Sequence, residues 1–300
     1  MSFPELTKTI LVGYHSNCTD GFTAAAVAYS KFKDTADYVY LQYNKEYNLE
    51  IFQDKEVYIL DFSFSRTIIE QIYLSAKSLQ VIDHHKTAQD ALKGLDYCIF
   101  DMTKSGALLT YEHFNPGQPI PKFIQLISDY DLWNHRSPEV LWFNKAIRCL
   151  DFDLEVWSKL VLDIENDSYR QQFFTQGKAI DTYTKMQVSS ISKLANECHI
   201  VVKDDIIKGL IVNCSTVFTS EVGNKLAIES NTFGATYVVT KEGNVLVSLR
   251  SVGDYTVNDI AKHFGGGGHN NAAGFTIPLD RIRFEGEVTI IDKAAVSVYD

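Results

Sequence analysis

Short apolar segments alternate with helix-like segments through the first half of this chain. The apolar segments are rich in β-branched and aromatic residues, and the segments between them carry apolar residues at helical spacing. In chain order, the predicted elements are strand Thr9–Tyr14, helix Gly21–Phe32, strand Tyr38–Tyr43, strand Val57–Asp61, helix Arg66–Leu74, strand Leu79–Asp83, strand Tyr97–Phe100 and helix Ser105–Phe114. This alternation predicts an α/β fold with a doubly wound, mostly parallel sheet.

The pattern changes in the second half. Residues 119–196 read as helical, and strand signals then return, with a hairpin-like turn at Lys241–Asn244. A hairpin within an α/β unit predicts a mixed sheet, and therefore a second, smaller α/β domain. We expect a first domain at 1–165, a helical linker at 166–195 and the second domain at 196–300.

The overall composition narrows the classes of partner. Of the 300 residues, 45% are hydrophobic and 22% are charged, as in ordinary globular proteins. The formal net charge of −10 argues against an electrostatic grip on long duplex DNA, but it leaves room for a local site for a small phosphorylated ligand. An apolar run approaching the roughly 18 residues of a membrane span is absent from the sequence.

The cysteines indicate a reducing environment. Five are scattered along the chain, and no two form a CxxC pair. This pattern argues against a disulfide framework or a structural zinc site. The first nine residues also lack the basic region and apolar core of a signal peptide, so we expect a cytoplasmic protein.

Acidic and imidazole side chains are concentrated after predicted strands or at a transition from helix to loop. The four clusters are His15–Gly21, Asp61, Asp83–His85 and Ser128–Asp131. Parallel strands bring their carboxyl ends to one edge of a sheet, where α/β proteins bind ligands. We therefore expect three clusters to converge there and the fourth to fold over them.

These side chains suit a pair of divalent metal ions. Two ions about 3.5–4 Å apart need a bridging carboxylate and several terminal ligands. We predict that Asp61 bridges and that the terminal ligands are His15, Asp20, His84 and Asp129. Singly, each residue also has a simpler interpretation: Asp20 as a helix cap, Asp61 and Asp129 as turn or surface residues, and His15 as a hydrogen-bonded strand end.

Two separate motifs resemble those of the DHH phosphoesterases. The first is the triplet Asp83-His84-His85, which stands in the family's order among the four clusters. The second is Gly265–His269 followed by Asn270–Phe275, which is similar to the GGGHxxAAG signature of the DHH-associated domain. The resemblance covers nearly the whole chain.

The resemblance implies a two-domain enzyme with a di-manganese centre, for which Mg²⁺ or Co²⁺ are possible substitutes. His84 would hold metal, His85 would face the substrate phosphate or leaving group, and Asp83 would orient its neighbours. The second domain would bind substrate through a glycine-rich loop, an arginine and a histidine. Its predicted binding residues are Arg250, Gly266, Gly267, Gly268 and His269.

The cluster nearest the amino terminus, His15–Asp20, corresponds to the family's first motif and departs from it. Many members carry two carboxylates in this motif, whereas His15–Asp20 contains one, and Asn17 stands where another is expected. One metal would then be bound more weakly, or its set of ligands would be completed by Asn17, water or Asp131.

The leading interpretation is a metal-dependent phosphodiesterase that hydrolyses short oligonucleotides or small linear or cyclic nucleotides through a metal-activated water. A phosphomonoesterase acting on nucleoside 3′,5′-bisphosphates and a polyphosphatase remain alternatives in the same class. A catalytically weak nucleotide-binding sensor is the alternative from another class, because of the missing carboxylate. We expect no membrane and no long duplex DNA as partners, and the sequence leaves oligomerisation open.

Overall fold

The computed structural model describes residues 6–16, 18–43, 45–134, 137–203 and 205–291.

The chain forms two compact units, Met1–Asp181 and Thr182–Asp300. The boundary between them falls inside a 26-residue helix, Asp167–Ser192. The domain limits drawn from the sequence at 165 and 195 stay predictions.

The first unit contains a five-stranded sheet in the order β2-β1-β3-β4-β5, and all its described pairs are parallel. Its strands are β1 (Ile10–His15), β2 (Ala36–Leu41), β3 (Glu56–Leu60), β4 (Ser78–Asp83) and β5 (Cys98–Phe100). The parallel order confirms the fold class expected from the sequence.

Eight α-helices belong wholly or partly to the described portion of this unit. They are α1 (Thr19–Phe32), α2 (Arg66–Ser75), α3 (Lys86–Ala91), α4 (Gly106–Phe114), α5 (Lys122–Asp131), α6 (Pro138–Ile147), α7 (Leu154–Asp163) and α8 (Asp167–Ser192). The helical character predicted for 119–196 is confirmed. Helix α3 was not predicted, because six residues are too few to show a helical period.

Both faces of the parallel sheet are buried. Leu11 and Ile59 belong to a core cluster that includes α2, whereas Val12 and Leu60 belong to a cluster with α1 and α4 to α8. Successive residues of a strand point to opposite faces, so adjacent apolar residues serve different cores. Two buried faces explain the continuous apolar strands of the sequence.

The second unit is built on an eight-stranded sheet in the order β10-β11-β9-β8-β7-β6-β13-β12. Its strands are β6 (Asn196–Val202), β7 (Asp205–Asn213), β8 (Phe233–Val239), β9 (Asn244–Ser251), β10 (Gly267–His269), β11 (Ala272–Pro278), β12 (Ile282–Phe284) and β13 (Val288–Ile291). The helices are α9 (Thr219–Ser230) and α10 (Asn258–His263). Pairs β6–β13 and β7–β8 are parallel and the others antiparallel, so the expected mixed sheet is confirmed.

The glycine-rich segment was predicted to be a loop, and most of its signature instead forms a hairpin. Gly267–His269 pairs with the start of β11 around a turn at Asn270 and Asn271. The Asn271 amide nitrogen lies 3.0 Å from Ser251 Oγ and 2.9 Å from the Tyr255 carbonyl oxygen, which fixes the turn beside β9. The glycines gain an ordered antiparallel partner in this way.

Across the described residues, no helix combines the length and apolar character needed to cross a membrane.

Candidate functional site

Three polar side chains form a row at the carboxyl edge of the parallel sheet. Strands β1, β3 and β4 are neighbours in register. His15 ends β1, Asp61 directly follows β3 and Asp83 ends β4. The shared register therefore brings together residues that are 46 and 22 positions apart in the chain.

Asp61 lies at the centre of this row. Its Oδ2 is 3.3 Å from His15 Nδ1, and its Oδ1 is 3.2 Å from His84 Nε2. The side chain is only 1% exposed, yet Oδ1 has no partner with hydrogen-bond geometry among the described residues. Its backbone is left-handed, with φ of 54°, which aspartate tolerates better than most residues.

The amino terminus of α4 closes over Asp61. A Cβ added at Gly106 would lie 2.6 Å from Asp61 Cβ and 2.7 Å from its Oδ1. A side chain at this position is therefore incompatible with the observed approach of α4.

The same helix end binds the carboxylate of Asp20. The backbone amides of Gly106 and Ala107 donate to Asp20 Oδ2 and Oδ1 at 2.6 and 3.1 Å. A carboxylate at a helix amino terminus is stabilised by the free amides and the helix dipole. Asp20 is fully buried, so the capping role considered from the sequence is real, but the helix that it caps is α4.

His84 contacts a second acidic group. Its Nε2 lies 3.8 Å from Asp20 Oδ2 and 3.4 Å from Asp131 Oδ2. One ligand atom from each of these residues lies within 4.8 Å of the others.

The structure brings Asp131, and not the predicted Asp129, to this group. Asp129 Oδ1 instead accepts a hydrogen bond from Gln125 Nε2 at 3.1 Å. Two residues along an α-helix point in nearly opposite directions, so the two carboxylates cannot face the same site. Asp131 lies four residues after the buried Ile127 and shares its face of α5.

Asp83 has a different environment from the other carboxylates. Its Oδ1 is 2.6 Å from His85 Nδ1 and also accepts the His84 amide at 2.7 Å. Its Oδ2 accepts from Ser63 Oγ at 2.6 Å. Since both oxygens already have protein donors, Asp83 is suited to orient His85 and the backbone of the triplet.

The crowded charges shift the pKa values of this cluster. Burial, followed by the charges of Asp61 and Asp131, raises the pKa of Asp20 well above its usual range. Burial opposes ionisation of Asp61, but the imidazoles of His15 and His84 lower its pKa to about 2.

The two histidines of the triplet are shifted in the opposite direction to Asp61. Burial alone would lower the pKa of His84, but Asp61, Asp20 and Asp131 raise it to about 9. The hydrogen bond to Asp83 raises the pKa of His85. The cluster therefore attracts positive charge, whether protons or a metal cation.

An aromatic wall flanks the imidazoles. The Tyr43 ring stacks on Phe62 with centroids 4.5 Å apart. It also meets the rings of His15 and His85 edge-on at 5.4 and 6.2 Å. Phe62 is buried, whereas Tyr43 is 45% exposed, so part of the Tyr43 ring is accessible beside the cluster.

Cys18 adds a sulfur atom to the cluster. One ligand atom each from His15, Cys18 and Asp61 lies within 4.8 Å of the others. Burial, followed by the charges of Asp61 and Asp20, raises the pKa of this thiol. Asn17, which the sequence suggested as a replacement ligand, lies outside the described residues.

In the second unit, Arg250 occupies the next-to-last position of β9. Its guanidinium donates to Ser220 Oγ at 3.0 Å and to the Leu249 carbonyl at 2.9 Å. Burial lowers its pKa from the usual arginine value, although the guanidinium stays charged at neutral pH. His269, the last residue of β10, is exposed.

The three predicted substrate-binding glycines differ in their surroundings. A Cβ at Gly266 would lie 2.1 Å from the Gly274 carbonyl oxygen, and one at Gly268 would lie 2.5 Å from that of Ala272. These two glycines are needed for packing against β11. A Cβ at Gly267 has no described atom within 4 Å, so a side chain at this position would meet open space.

Comparison with known proteins finds a matching domain family and a named relative. A model of the DHHA1 domain matches residues 211–288, a range that contains Arg250 and the glycine-rich segment. The oligoribonuclease NrnB of Bacillus subtilis (strain 168) is 24% identical, over 88% of this chain and 72% of that protein. The chain belongs to the DHH phosphoesterase family.

Two further relatives extend the comparison for this DHH phosphoesterase. The uncharacterized protein R106 of Acanthamoeba polyphaga mimivirus is 33% identical, over 88% of this chain and 66% of R106. A solved structure of PggH, a pGpG-specific phosphodiesterase from Vibrio cholerae, has a TM-score of 0.51 at 12% identity, covering 91% of this chain and 94% of PggH. The likeness to PggH supports the fold alone.

The donor atoms of this DHH phosphoesterase fit divalent metal ions. Imidazole nitrogens and carboxylate oxygens suit Mn²⁺, Fe²⁺, Co²⁺ and Zn²⁺. The unpartnered Oδ1 of Asp61 and the close carboxylates of Asp20 and Asp131 would be stabilised by a cation. The residues with ligand atoms close enough to hold the ions are His15, Cys18, Asp61, Asp20, His84 and Asp131, and a ring nitrogen of His85 also lies within 4.8 Å of ligand atoms of Asp61 and His84.

Two contributors were missed from the sequence, and a third was named only as an alternative. Gly106 and Ser63 act on Asp61 and Asp83 from positions that carry no obvious chemical signal. Asp131 was given only a secondary role, although the four-residue spacing from Ile127 was a readable sign of its direction.

Proposed function

We propose that this DHH phosphoesterase hydrolyses phosphodiester bonds in short oligonucleotides or in small linear or cyclic nucleotides, with the help of two divalent metal ions. The relatives NrnB and PggH are named as an oligoribonuclease and a pGpG-specific phosphodiesterase, which are both phosphoric ester hydrolases. The observation that carries the proposal is the convergence of His15, Asp20, His84 and Asp131 around the buried Asp61.

The proposed ligands divide into two groups that meet at Asp61. His15 would hold one ion and His84, Asp20 and Asp131 the other, while each oxygen of Asp61 faces a different imidazole. When bound, Mn²⁺ ions would supply Lewis acidity and positive charge to a phosphate group and its attacking water. The left-handed backbone at Asp61 and the helix end at Gly106 hold the central carboxylate in place.

His85 is the proposed proton donor to the leaving oxygen. Its Nδ1 donates to Asp83, which leaves Nε2 as the second ring atom able to give a proton or bind phosphate. The side chain is 35% exposed, whereas Asp83 is fully buried. Asp83 therefore acts by holding the ring, and Ser63 holds Asp83 in turn.

Residues of the second unit are proposed to bind the substrate. The Arg250 guanidinium offers paired donors to a phosphate, and the open backbone at Gly267 allows close approach of an anion. The exposed His269 provides a further donor. In the first unit, the exposed part of the Tyr43 ring offers a stacking surface for a nucleobase.

The proposal also includes small substrates and a location in a reducing cytoplasm. The net charge of −10 disfavours long duplexes. Five cysteines without a paired motif fit a reducing compartment.

A substrate panel tests the proposal. Metal-stripped protein would be resupplied with Mn²⁺ and given di- to pentanucleotides, pGpG, a cyclic dinucleotide, a nucleoside 3′,5′-bisphosphate and inorganic polyphosphate, with products identified by chromatography and mass spectrometry. We expect mononucleotides from the diesters. Phosphate release from the bisphosphate or polyphosphate without diester cleavage would contradict the proposal in favour of a monoesterase or polyphosphatase. Nucleotide binding without any turnover would contradict it in favour of a sensor.

A further inference from the structure

The family's first motif, His15–Asp20 in this chain, has one carboxylate fewer than the family pattern, and Cys18 lies within it. The ligand atoms of His15, Cys18 and Asp61 lie within 4.8 Å of one another. This group shares no residue with the group formed by Asp20, His84 and Asp131. Sulfur is therefore present beside His15 and Asp61, which would otherwise be the only protein ligands of this group among the described residues.

Helix initiation does not explain the cysteine. Cys18 occupies the N-cap position of α1, with an extended backbone at φ −123° and ψ 133°. Serine, threonine, aspartate and asparagine are preferred there because their oxygens accept the first helical amides. The Cys18 side chain makes no capping hydrogen bond of standard geometry, and the nearby Gly21 amide acts to lower the pKa of its thiol, against the larger effect of burial.

Asp61 provides the second, independent observation. The residue is only 1% exposed, and its Oδ2 lies 3.3 Å from His15 Nδ1, while its Oδ1 faces His84 at 3.2 Å. A carboxylate this deeply buried is stabilised by a cation, and it lies beside both His15 and Cys18.

We infer that Cys18 is a thiolate ligand of the ion that His15 and Asp61 hold, in place of the missing carboxylate. The inference rests on the metal centre of the proposed function and adds to it a soft ligand. As the metal–sulfur bond forms, the sulfur supplies the electron pair and the thiol proton passes to solvent.

A thiolate changes which metals this position prefers. Thiolate and imidazole ligands favour Zn²⁺, Fe²⁺ and Co²⁺, whereas carboxylates suit Mn²⁺ and Mg²⁺ better. We therefore expect Cys18→Asp to move the preference of this site toward Mn²⁺. Losing a side chain that only hydrogen-bonds to a metal ligand costs about 10–100-fold in metal affinity. Losing a direct ligand should cost at least as much, so we expect Cys18→Ala to lower Co²⁺ affinity by at least about 10-fold.

Cobalt titration of the metal-stripped full chain tests the inference. Thiolate coordination gives a near-ultraviolet charge-transfer band, which oxygen and nitrogen ligands do not produce. We expect the band in the wild type and in the control Cys98→Ser, and its loss in Cys18→Ser with the visible Co²⁺ bands retained. Cys98 lies on β5 and is in none of the possible metal-binding groups of the described residues. A band of unchanged intensity in Cys18→Ser would overturn the inference.

Alkylation of the wild-type protein provides a readout that needs no variant to fold. Iodoacetamide labelling with and without Co²⁺ would be mapped to each cysteine by mass spectrometry, with the exposed Cys149 as the internal control. We expect Co²⁺ to slow labelling of Cys18 and leave Cys149 unchanged. Equal labelling of Cys18 in both conditions would overturn the inference. Both readouts are independent of turnover, so a cobalt–thiolate band in a protein that fails the substrate panel would refute the activity and uphold the ligand.

Discussion

Asp83 Oδ1 lies 2.6 Å from His85 Nδ1, and the same carboxylate accepts a hydrogen bond from Ser63. The first and last residues of the Asp83-His84-His85 triplet thus form a carboxylate–imidazole pair. Asp83 is fully buried and His85 is half-buried, so the acid positions the ring from inside the protein. This pair separates a positioning role from the metal-binding role proposed for His84.

Replacing Asp83 should impair turnover more than binding. Asp83→Asn keeps the shape but weakens the bond that orients His85, and we expect kcat for a dinucleotide to fall by about 10–100-fold with little change in KM. Steady-state kinetics on the metal-loaded protein measures this. Ser63→Ala should give a smaller loss of the same kind. An equal rise in KM with kcat unchanged would contradict the positioning role.

The two acidic residues at the end of α5 should behave differently. Asp131 contacts His84, whereas Asp129 is bonded to Gln125. We expect Asp131→Asn to reduce metal affinity by at least about 10-fold, because losing even a side chain that only hydrogen-bonds to a metal ligand costs about 10–100-fold. Asp129→Asn, the matched control, should keep the wild-type metal content. Elemental analysis after dialysis at limiting Mn²⁺ measures both, and the reverse order of the two variants would restore Asp129 as the ligand.

Two glycine-to-alanine variants should separate packing from binding. Gly106→Ala forces α4 away from Asp61, so we expect a loss of about 1–3 kcal/mol in the free energy of unfolding, together with weaker metal binding. Gly267→Ala meets open space, so its stability should stay within about 0.5 kcal/mol while KM for a diester rises. Urea denaturation and kinetics measure the two effects. Equal stability losses would show that the approach of α4 does not require glycine.

Arg250 should contribute to substrate binding through its paired donors. Lysine keeps the charge but loses the planar fork, so Arg250→Lys should raise KM by about 10–100-fold, which corresponds to about 1.4–2.7 kcal/mol. The control is Arg66→Lys, at a partly exposed arginine paired with Glu70 on α2. Initial-rate measurements across diester concentrations give KM for each variant. An unchanged KM in Arg250→Lys would remove Arg250 from the binding site.

The sequence predicted the parallel sheet and the convergence of its strand ends because these follow from local rules. Apolar runs identify β1, β3 and β4, and parallel strands must collect their carboxyl ends at one edge. His15, Asp61 and His84 could therefore be placed together before any coordinates were known. The role of Gly106 could not, because it depends on how closely α4 approaches Asp61 in three dimensions.

The misjudged details have physical causes. Asp129 and Asp131 are the same residue type, and only the orientation of α5 about its axis decides which one faces His84. The glycine-rich segment looked like a loop because glycine has low strand propensity, yet pairing with β11 overrides that local preference. Cys18 carried no sign of its neighbours, which come from β1 and from the end of β3.

The most direct test of the account is dinucleotide hydrolysis by the metal-stripped protein before and after Mn²⁺ is restored, in the wild type and in Asp61→Asn. Asparagine tolerates the left-handed backbone at this position, so the variant should fold while losing the central carboxylate charge. Circular dichroism would check that fold. The account predicts mononucleotide formation only in the metal-restored wild type. Undiminished hydrolysis by the metal-stripped wild type, or by Asp61→Asn, would contradict it.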